Sequence, residues 1–210
     1  MKSMRNILGW VIPIAIGLFA ALLIRMFVYL PVTVNGDSML NTLVSGQKVS
    51  AIRTATIHRG SVIAFNAVGE DPGVELDAGQ KSRYYIKRVI GLPGDTIRSD
   101  NGTIYVNGKK INNSYLTSVN KTTGTGTWDL QSLSSEGSKF VSGNSHWNDG
   151  YATKVPADNY FVLGDNRQVS EDSRYFGFVK KENVLGVTFV FPWSEDRQDV
   201  NLVWKNFFAN

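Results

Sequence analysis

Cysteine is absent from the 210 residues, and histidine occurs only twice, as His58 and His146. Without a thiol there is no disulfide framework, no thiolate zinc or iron–sulfur site and no cysteine nucleophile. Two isolated imidazoles leave little material for a histidine metal site or a histidine-based triad. Proline is limited to 6 residues and charged residues to 19%, against 42% hydrophobic. That balance speaks against global disorder. The length suits one domain of ordinary size with room for an appendage, and a core that needs no cross-links. Acidic residues are missing altogether from the first 30 positions. The formal charge is +4, but Lys2, Arg5 and Arg25 account for three of it, so everything downstream carries +1. A domain so nearly neutral has no electrostatic footprint for nucleic acid.

What the N-terminus does contain is an uncharged run, ILGWVIPIAIGLFAALLI, over residues 7–24. As a helix it spans about 27 Å, close to the roughly 30 Å of a bilayer core. A cleaved signal sequence is the alternative, but that usually has about 7–15 apolar residues followed by a small-x-small site. Here Arg25-Met26-Phe27-Val28-Tyr29-Leu30 follows instead, so an uncleaved anchor is expected. Lys2 and Arg5 precede the span and place the N-terminus in the cytoplasm by the positive-inside tendency, with the rest of the chain outside. Pro13 is tolerable within a membrane helix. The expected organisation is a cytoplasmic stretch at 1–6, the anchor at 7–24, a juxtamembrane segment at 25–31, and a β domain in two parts, 32–111 and 151–210. A polar insertion or small subdomain at 112–150 separates those parts.

Beyond Pro31 the pattern is one of short strands and tight turns. Residues 32–34, 48–52, 61–65, 84–90, 96–98, 103–106, 160–163 and 187–191 are rich in β-branched and aromatic residues. Asn101-Gly102 and Asn107-Gly108 are hairpin turns on either side of Thr103-Ile104-Tyr105-Val106. Gly91-Leu92-Pro93-Gly94-Asp95 reads as a turn closing the 84–90 strand. No helical period is sustained, so the expected fold class is all-β with one N-terminal transmembrane helix. The Ser-, Thr-, Asn- and Gly-rich stretch at 112–150, with isolated apolar positions such as Trp128, Leu130 and Phe140, is expected to hold some hairpin.

The inventory of chemistry is short. A serine nucleophile needs a base and donors for the oxyanion. His58 and His146 sit in turn-like and polar settings and read as surface or loop residues. A lysine can serve in their place, as in Ser–Lys variants of the triad, if burial makes it neutral. Lys87 lies in Tyr84-Tyr85-Ile86-Lys87-Arg88-Val89-Ile90, where alternation puts it on a face with Tyr85 and Val89 while Arg88 points away. An ordinary strand lysine is the competing reading. Ser38 follows Gly36, which lets the chain turn sharply and bring amides near a ligand. It reads equally well as a helix N-cap. The third segment, Gly164-Asp165-Asn166-Arg167-Gln168-Val169-Ser170-Glu171-Asp172-Ser173-Arg174-Tyr175-Phe176-Gly177, reads as a loop held by hydrogen bonds and ion pairs, or as a solvated loop.

Taken in order, the anchor, Gly36-Asp37-Ser38-Met39, Lys87-Arg88-Val89-Ile90-Gly91-Leu92-Pro93-Gly94-Asp95 and the 164–177 loop resemble the type I signal peptidases, bacterial Ser–Lys proteases of the membrane. The resemblance covers essentially the whole chain. It implies a signal-peptidase-like fold of short antiparallel strands, with Ser38 as nucleophile and Lys87 as general base. Ser170 would hydrogen-bond and orient the lysine, and Asp172 with Arg174 would brace the site. The oxyanion would be met by the Ser38 backbone N–H and at Gly36, which has no side chain to offer, so that a backbone donor or water would help. Val34, Met39, Leu43, Tyr85 and Ile86 would wall the substrate pockets. The implied substrate is the signal peptide of a secreted preprotein, bound extended and cut after a small-x-small site. No cofactor or metal enters that scheme, and a monomer in contact with the lipid bilayer is expected. Three positions depart from the usual pattern: Asn41 stands where Pro is common, Gly60-Ser61 where Gly-Asp is, and Gly36 where some members have a serine. A silent peptide-binding protein of the same fold and a self-cleaving regulator are the rival readings. The presence of both Ser38 and Lys87 argues against the first. The anchor and the lack of a DNA-binding segment argue against the second.

Overall fold

The computed structural model describes residues 2–76, 78–135, 147 and 152–209. Helix α1 (Lys2–Phe27) takes up the uncharged run, with Pro13 inside it and Arg25 in its last turn. Its stretch Gly9–Phe27 has a mean hydropathy of 2.2, is wholly unburied, and is long and apolar enough to cross a membrane. One residue later the chain enters strand β1 (Tyr29–Thr33).

The domain that follows is built on a seven-stranded antiparallel sheet. Its remaining members are β2 (Lys48–Ile52), β3 (Val62–Asn66), β4 (Tyr84–Gly91), β9 (Asn159–Leu163), β10 (Val179–Lys180) and β11 (Val184–Phe189), in the order β1-β2-β11-β3-β4-β9-β10. A second antiparallel sheet holds β5 (Ile97–Asp100), β6 (Thr103–Val106), β7 (Lys109–Lys110) and β8 (Trp128–Asp129), ordered β7-β6-β5-β8. Both Asn-Gly turns occur as expected, with positive φ at Asn101, Gly102, Asn107 and Gly108. Helices after α1 are short: α2 (Ser118–Thr122), α3 (Leu130–Ser134), α4 (Ser173–Phe176) and α5 (Arg197–Asn201).

The β5–β6 hairpin pairs on its other side with β8 from the 112–150 stretch. The described part of that stretch thus joins the smaller sheet. It contributes α2, β8 and α3, and Trp128, Leu130, Leu133 and Trp147 pack with Ile90, Ile97, Ile104, Phe161 and Leu163 in one core between the sheets. Phe140 and His146 lie outside the described residues.

Alternation organises the large sheet. Val62, Ala64 and Ile86 face a core shared with Val32, Val34, Met39, Leu43 and Val49. Ile63, Phe65 and Val89 face the opposite core with Val162, Phe176 and Val187. Every apolar position of β3 is fully buried, so the sheet's centre is covered on both sides. Lys87 pairs with Ile63 across the strands and so belongs to the second face. The sheet curls into a half-barrel, bringing the end of β1 across to β4 although four strand positions separate them in its order.

Candidate active site

Strand β9 meets β4 only over its C-terminal half, from Arg88↔Leu163 to Gly91↔Phe161. The outer edge of Tyr84 to Lys87 therefore has no strand partner among the described residues. A groove of about 410 Å³ opens along that edge, with Thr33, Val34, Asn35 and Gly36 opposite it and the Ser38 turn at one end. Ser38 and Lys87 both line it.

Gly36 makes the turn possible: its φ is +86°, a left-handed value that a side chain resists. After it the chain forms a tight turn, not a helix, with Leu40 N–H donating to Asp37 O at 3.1 Å and Leu43 N–H to Met39 O at 2.9 Å. Ser38 is half-buried. Its backbone N–H is given to no acceptor among the described residues, so it is available to a developing oxyanion. The Gly36 N–H, expected to stand beside it, instead donates to Ser45 Oγ at 3.2 Å. Gly36 thus shapes the turn but spends its donor elsewhere.

Lys87 is 4% exposed. Its Nζ lies 5.3 Å from the centre of the Tyr85 ring, and no carboxylate forms an ion pair with it among the described residues. Burial pushes the Lys87 ammonium down to about 8; Asp172 opposes that shift and the Arg174 charge reinforces it. Asp172 cannot serve as a dedicated partner, because Arg174 forks onto it through Nε and Nη2, each at 2.8 Å. Asp172 also accepts the Gly164 N–H at 3.0 Å. Burial alone would raise the Asp172 carboxyl, but Arg174 and these donors hold it below the usual carboxylate range.

Ser170 is 2% exposed, and its hydroxyl has no hydrogen-bond partner among the described residues. The expected Ser170–Lys87 hydrogen bond is therefore not formed here. A Cβ built on Gly164 would fall on Ser170 Oγ and lie 2.5 Å from Ser38 O. Only glycine lets the Ser38 turn and Ser170 close on that backbone. Of the anticipated pocket walls, Val34, Met39, Tyr85 and Ile86 line the groove. Leu43 does not: the turn carries it into the core, where it is wholly buried. Tyr84, Asn166 and Val169 line the groove as well. His58 lies elsewhere, stacked on Trp204 at 4.7 Å. No group of three or more His, Asp or Glu side chains able to hold a metal ion occurs among the described residues.

The family model for signal peptidase, peptidase S26, matches residues 7–193. The chain belongs to the signal peptidase family. Signal peptidase IB of Staphylococcus aureus (strain COL) is 34% identical over 207 residues, aligning 94% of this chain and 96% of its own. Signal peptidase I S of Bacillus subtilis (strain 168) is 35% identical over 206 residues, with the same two shares. A crystal structure of a signal peptidase I from Enterococcus faecalis V583 is 32% identical, covering 63% of this chain and 97% of that one, with a TM-score of 0.47.

This signal peptidase chain also has a hub at Asp165. Asp165 accepts from Thr42 Oγ1 at 2.6 Å and from Arg88 Nε and Nη2 at 2.9 and 2.6 Å. Arg88 further donates to Gly60 O and Asp199 O, and its guanidinium lies 4.1 Å from the centre of the Tyr115 ring. Asn166 N–H donates to Ser38 O at 3.0 Å, and its side-chain amide to Asp37 O at 3.1 Å. The loop after β9 is thereby tied to the Ser38 turn at three points. A buried arginine in a strand and a Gly-Asp-Asn directly after another strand were the available signals.

Proposed function

We propose that the chain is a membrane-anchored serine endopeptidase that removes the signal peptides of secreted preproteins after small-x-small sites, with Ser38 as nucleophile and Lys87 as general base. The observation that carries this reading is a half-buried serine sharing one groove with a buried lysine whose ammonium is pushed down to about 8. At pH 7.5 about a quarter of such a lysine is neutral, against about one part in a thousand at the ordinary lysine value of 10.5.

Neutral Lys87 takes the Ser38 proton as Oγ attacks the scissile carbonyl carbon. The resulting oxyanion is met by the Ser38 N–H. Protonated Lys87 gives that proton to the leaving nitrogen as the C–N bond breaks, which leaves an acyl-enzyme. Lys87 then takes a proton from water, which attacks the ester, and Ser38 recovers its hydrogen as the carboxylate departs. Ser170 offers a hydroxyl with no other partner to hold the lysine, and the Asp172–Arg174 pair braces the loop that carries it. The unpaired edge of Tyr84 to Lys87 suits an extended substrate added as a strand, with Val34, Met39, Tyr85 and Ile86 shaping shallow pockets. Helix α1 would anchor a monomer in the bilayer, N-terminus in the cytoplasm and the β domain outside. The 32–111 and 151–210 parts form the catalytic unit, which the sheets extend to include the described part of 112–150.

The test is cleavage of an Ala-x-Ala peptide by the purified full chain in detergent. Wild type is expected to cut after the second alanine, and Ser38→Ala and Lys87→Met to lose at least about a thousandfold of that activity. Persistence of cleavage in either variant would overturn the mechanism. Peptide binding without cleavage by wild type would favour a silent peptide-holding protein.

A further inference from the structure

Charge in the groove is one-sided. Asp37 and Glu171 line it as exposed carboxylates, and Lys87 is the one amine among its lining residues. Lys87 must be neutral to act on Ser38, so the working groove carries two negative charges and no compensating cation. A third carboxylate stands behind them. Asp71 is 3% exposed and accepts from the Tyr85 hydroxyl at 2.9 Å and the Gly73 N–H at 2.8 Å. A Cβ built on Gly73 would lie 3.2 Å from Asp71 Oδ1 and 3.4 Å from Glu171 Oε1, so the two carboxylates crowd the same glycine. Burial and the Asp71 charge push the Glu171 carboxyl up, with Lys87 opposing, as befits a carboxylate among its own kind.

The neighbouring arginines do not line the groove. Arg174 forks onto Asp172 and Arg88 onto Asp165. Arg167 is buried and donates to Gly164 O and the Tyr115 hydroxyl. Arg83, exposed at the head of β4, donates to Glu75 O and does not line the groove.

We propose that Glu171, together with Asp37, is a specificity determinant that favours substrates with basic rather than acidic side chains beside the scissile bond. This rests on the groove being the peptidase site. A unit charge about 7 Å from a carboxylate in a water-like dielectric changes affinity roughly threefold. Exchanging a substrate glutamate for a lysine reverses the sign, so the contrast grows to roughly five- to tenfold, and salt erodes it because the Debye length is about 10 Å at 0.1 M. Selection by charge would act alongside the small-residue pockets, which read size alone.

The experiment uses the full chain in uncharged detergent and one Ala-x-Ala peptide made in five forms: Lys or Glu at x, Lys or Glu immediately after the second alanine, and Gln at both positions as reference. At about 20 mM salt the Lys-to-Glu ratio of kcat/KM is expected to reach roughly five- to tenfold at the position nearer Glu171, and to fall below about twofold at 0.5 M. Glu171→Gln should remove most of the five- to tenfold ratio, Glu171→Gln with Asp37→Asn should bring it to one, and Glu171→Lys should invert it. Damage to the fold does not invert a preference, so the last variant separates charge from structure. A wild-type ratio of one at both positions, or a ratio unchanged by Glu171→Lys, would overturn the proposal while cleavage of the Gln peptide leaves the peptidase reading standing. Failure of wild type to cut the Gln peptide would overturn that reading and the proposal with it.

Discussion

A lysine set against Tyr85 and opposite Ile63 has given up its hydration, and the carboxylate that most favours its charge, Asp172, already belongs to Arg174. The charged form suffers for this and the neutral form does not. With the folded-state value about 8 and the ordinary lysine value 10.5, both folded and unfolded chains hold the proton below pH 8, and there the folded chain bears the full penalty. Between the two values the unfolded chain alone is protonated, so stability rises with pH and the penalty is gone above the upper one. Lys87→Met, apolar and similar in reach, should therefore be more stable than wild type at pH 7 by about 2–3 kcal/mol while cleaving nothing. Urea unfolding at pH 7 and pH 10 checks this: the gap between variant and wild type should be wide at the lower pH and narrow at the higher. A variant less stable than wild type at pH 7 would mean that Lys87 has a partner strong enough to offset its burial.

The loop between β9 and α4 works as an element because its backbone and side chains hold three other parts of the chain. Asp165 lies 123 positions from Thr42 and 77 from Arg88 in sequence, yet it joins both. Thr42→Val removes a buried hydroxyl donor but leaves Asp165 forked by Arg88, so about 1–2 kcal/mol of stability should go. Because Thr42 sits in the turn that presents Ser38, kcat should fall further than that loss implies, and Thr42→Ser should restore most of it. Thermal melts and single-turnover cleavage measure the two effects separately. Local patterning makes much of the sheets legible: β2 and β6 run between the expected bounds, and β4 extends the expected stretch by one residue. What it could not show were relations fixed by distant residues. The two-residue strands β7, β8 and β10 are too short for an alternating signal. The transfer of the Gly36 N–H to Ser45, the burial of Leu43 and the vacant bonding capacity of Ser170 all depend on how the turn folds onto the sheet.

At the scale of the whole molecule, a scarcity of reactive side chains and a surplus of cations at one end have different structural fates. The cations Lys2, Arg5 and Arg25 accompany a helix with no buried side chain along Gly9–Phe27, which leaves an apolar surface wanting cover. The nearly neutral remainder folds into two sheets around shared cores, and β1, entered one residue after the helix, ends at the groove. The apolar helix and the groove are thus joined by a single short strand. With no cysteine anywhere and His58 stacked on Trp204, the chemistry proposed for the described groove rests on Ser38 and on a lysine whose ammonium burial pushes down to about 8. That claim has one direct measurement: kcat/KM for an Ala-x-Ala peptide, by the full chain in detergent, from pH 6 to pH 10. The account predicts a tenfold rise per unit at the acid end that bends to a plateau with an apparent pKa near 8. A profile flat between pH 6 and 9 would contradict a lysine base.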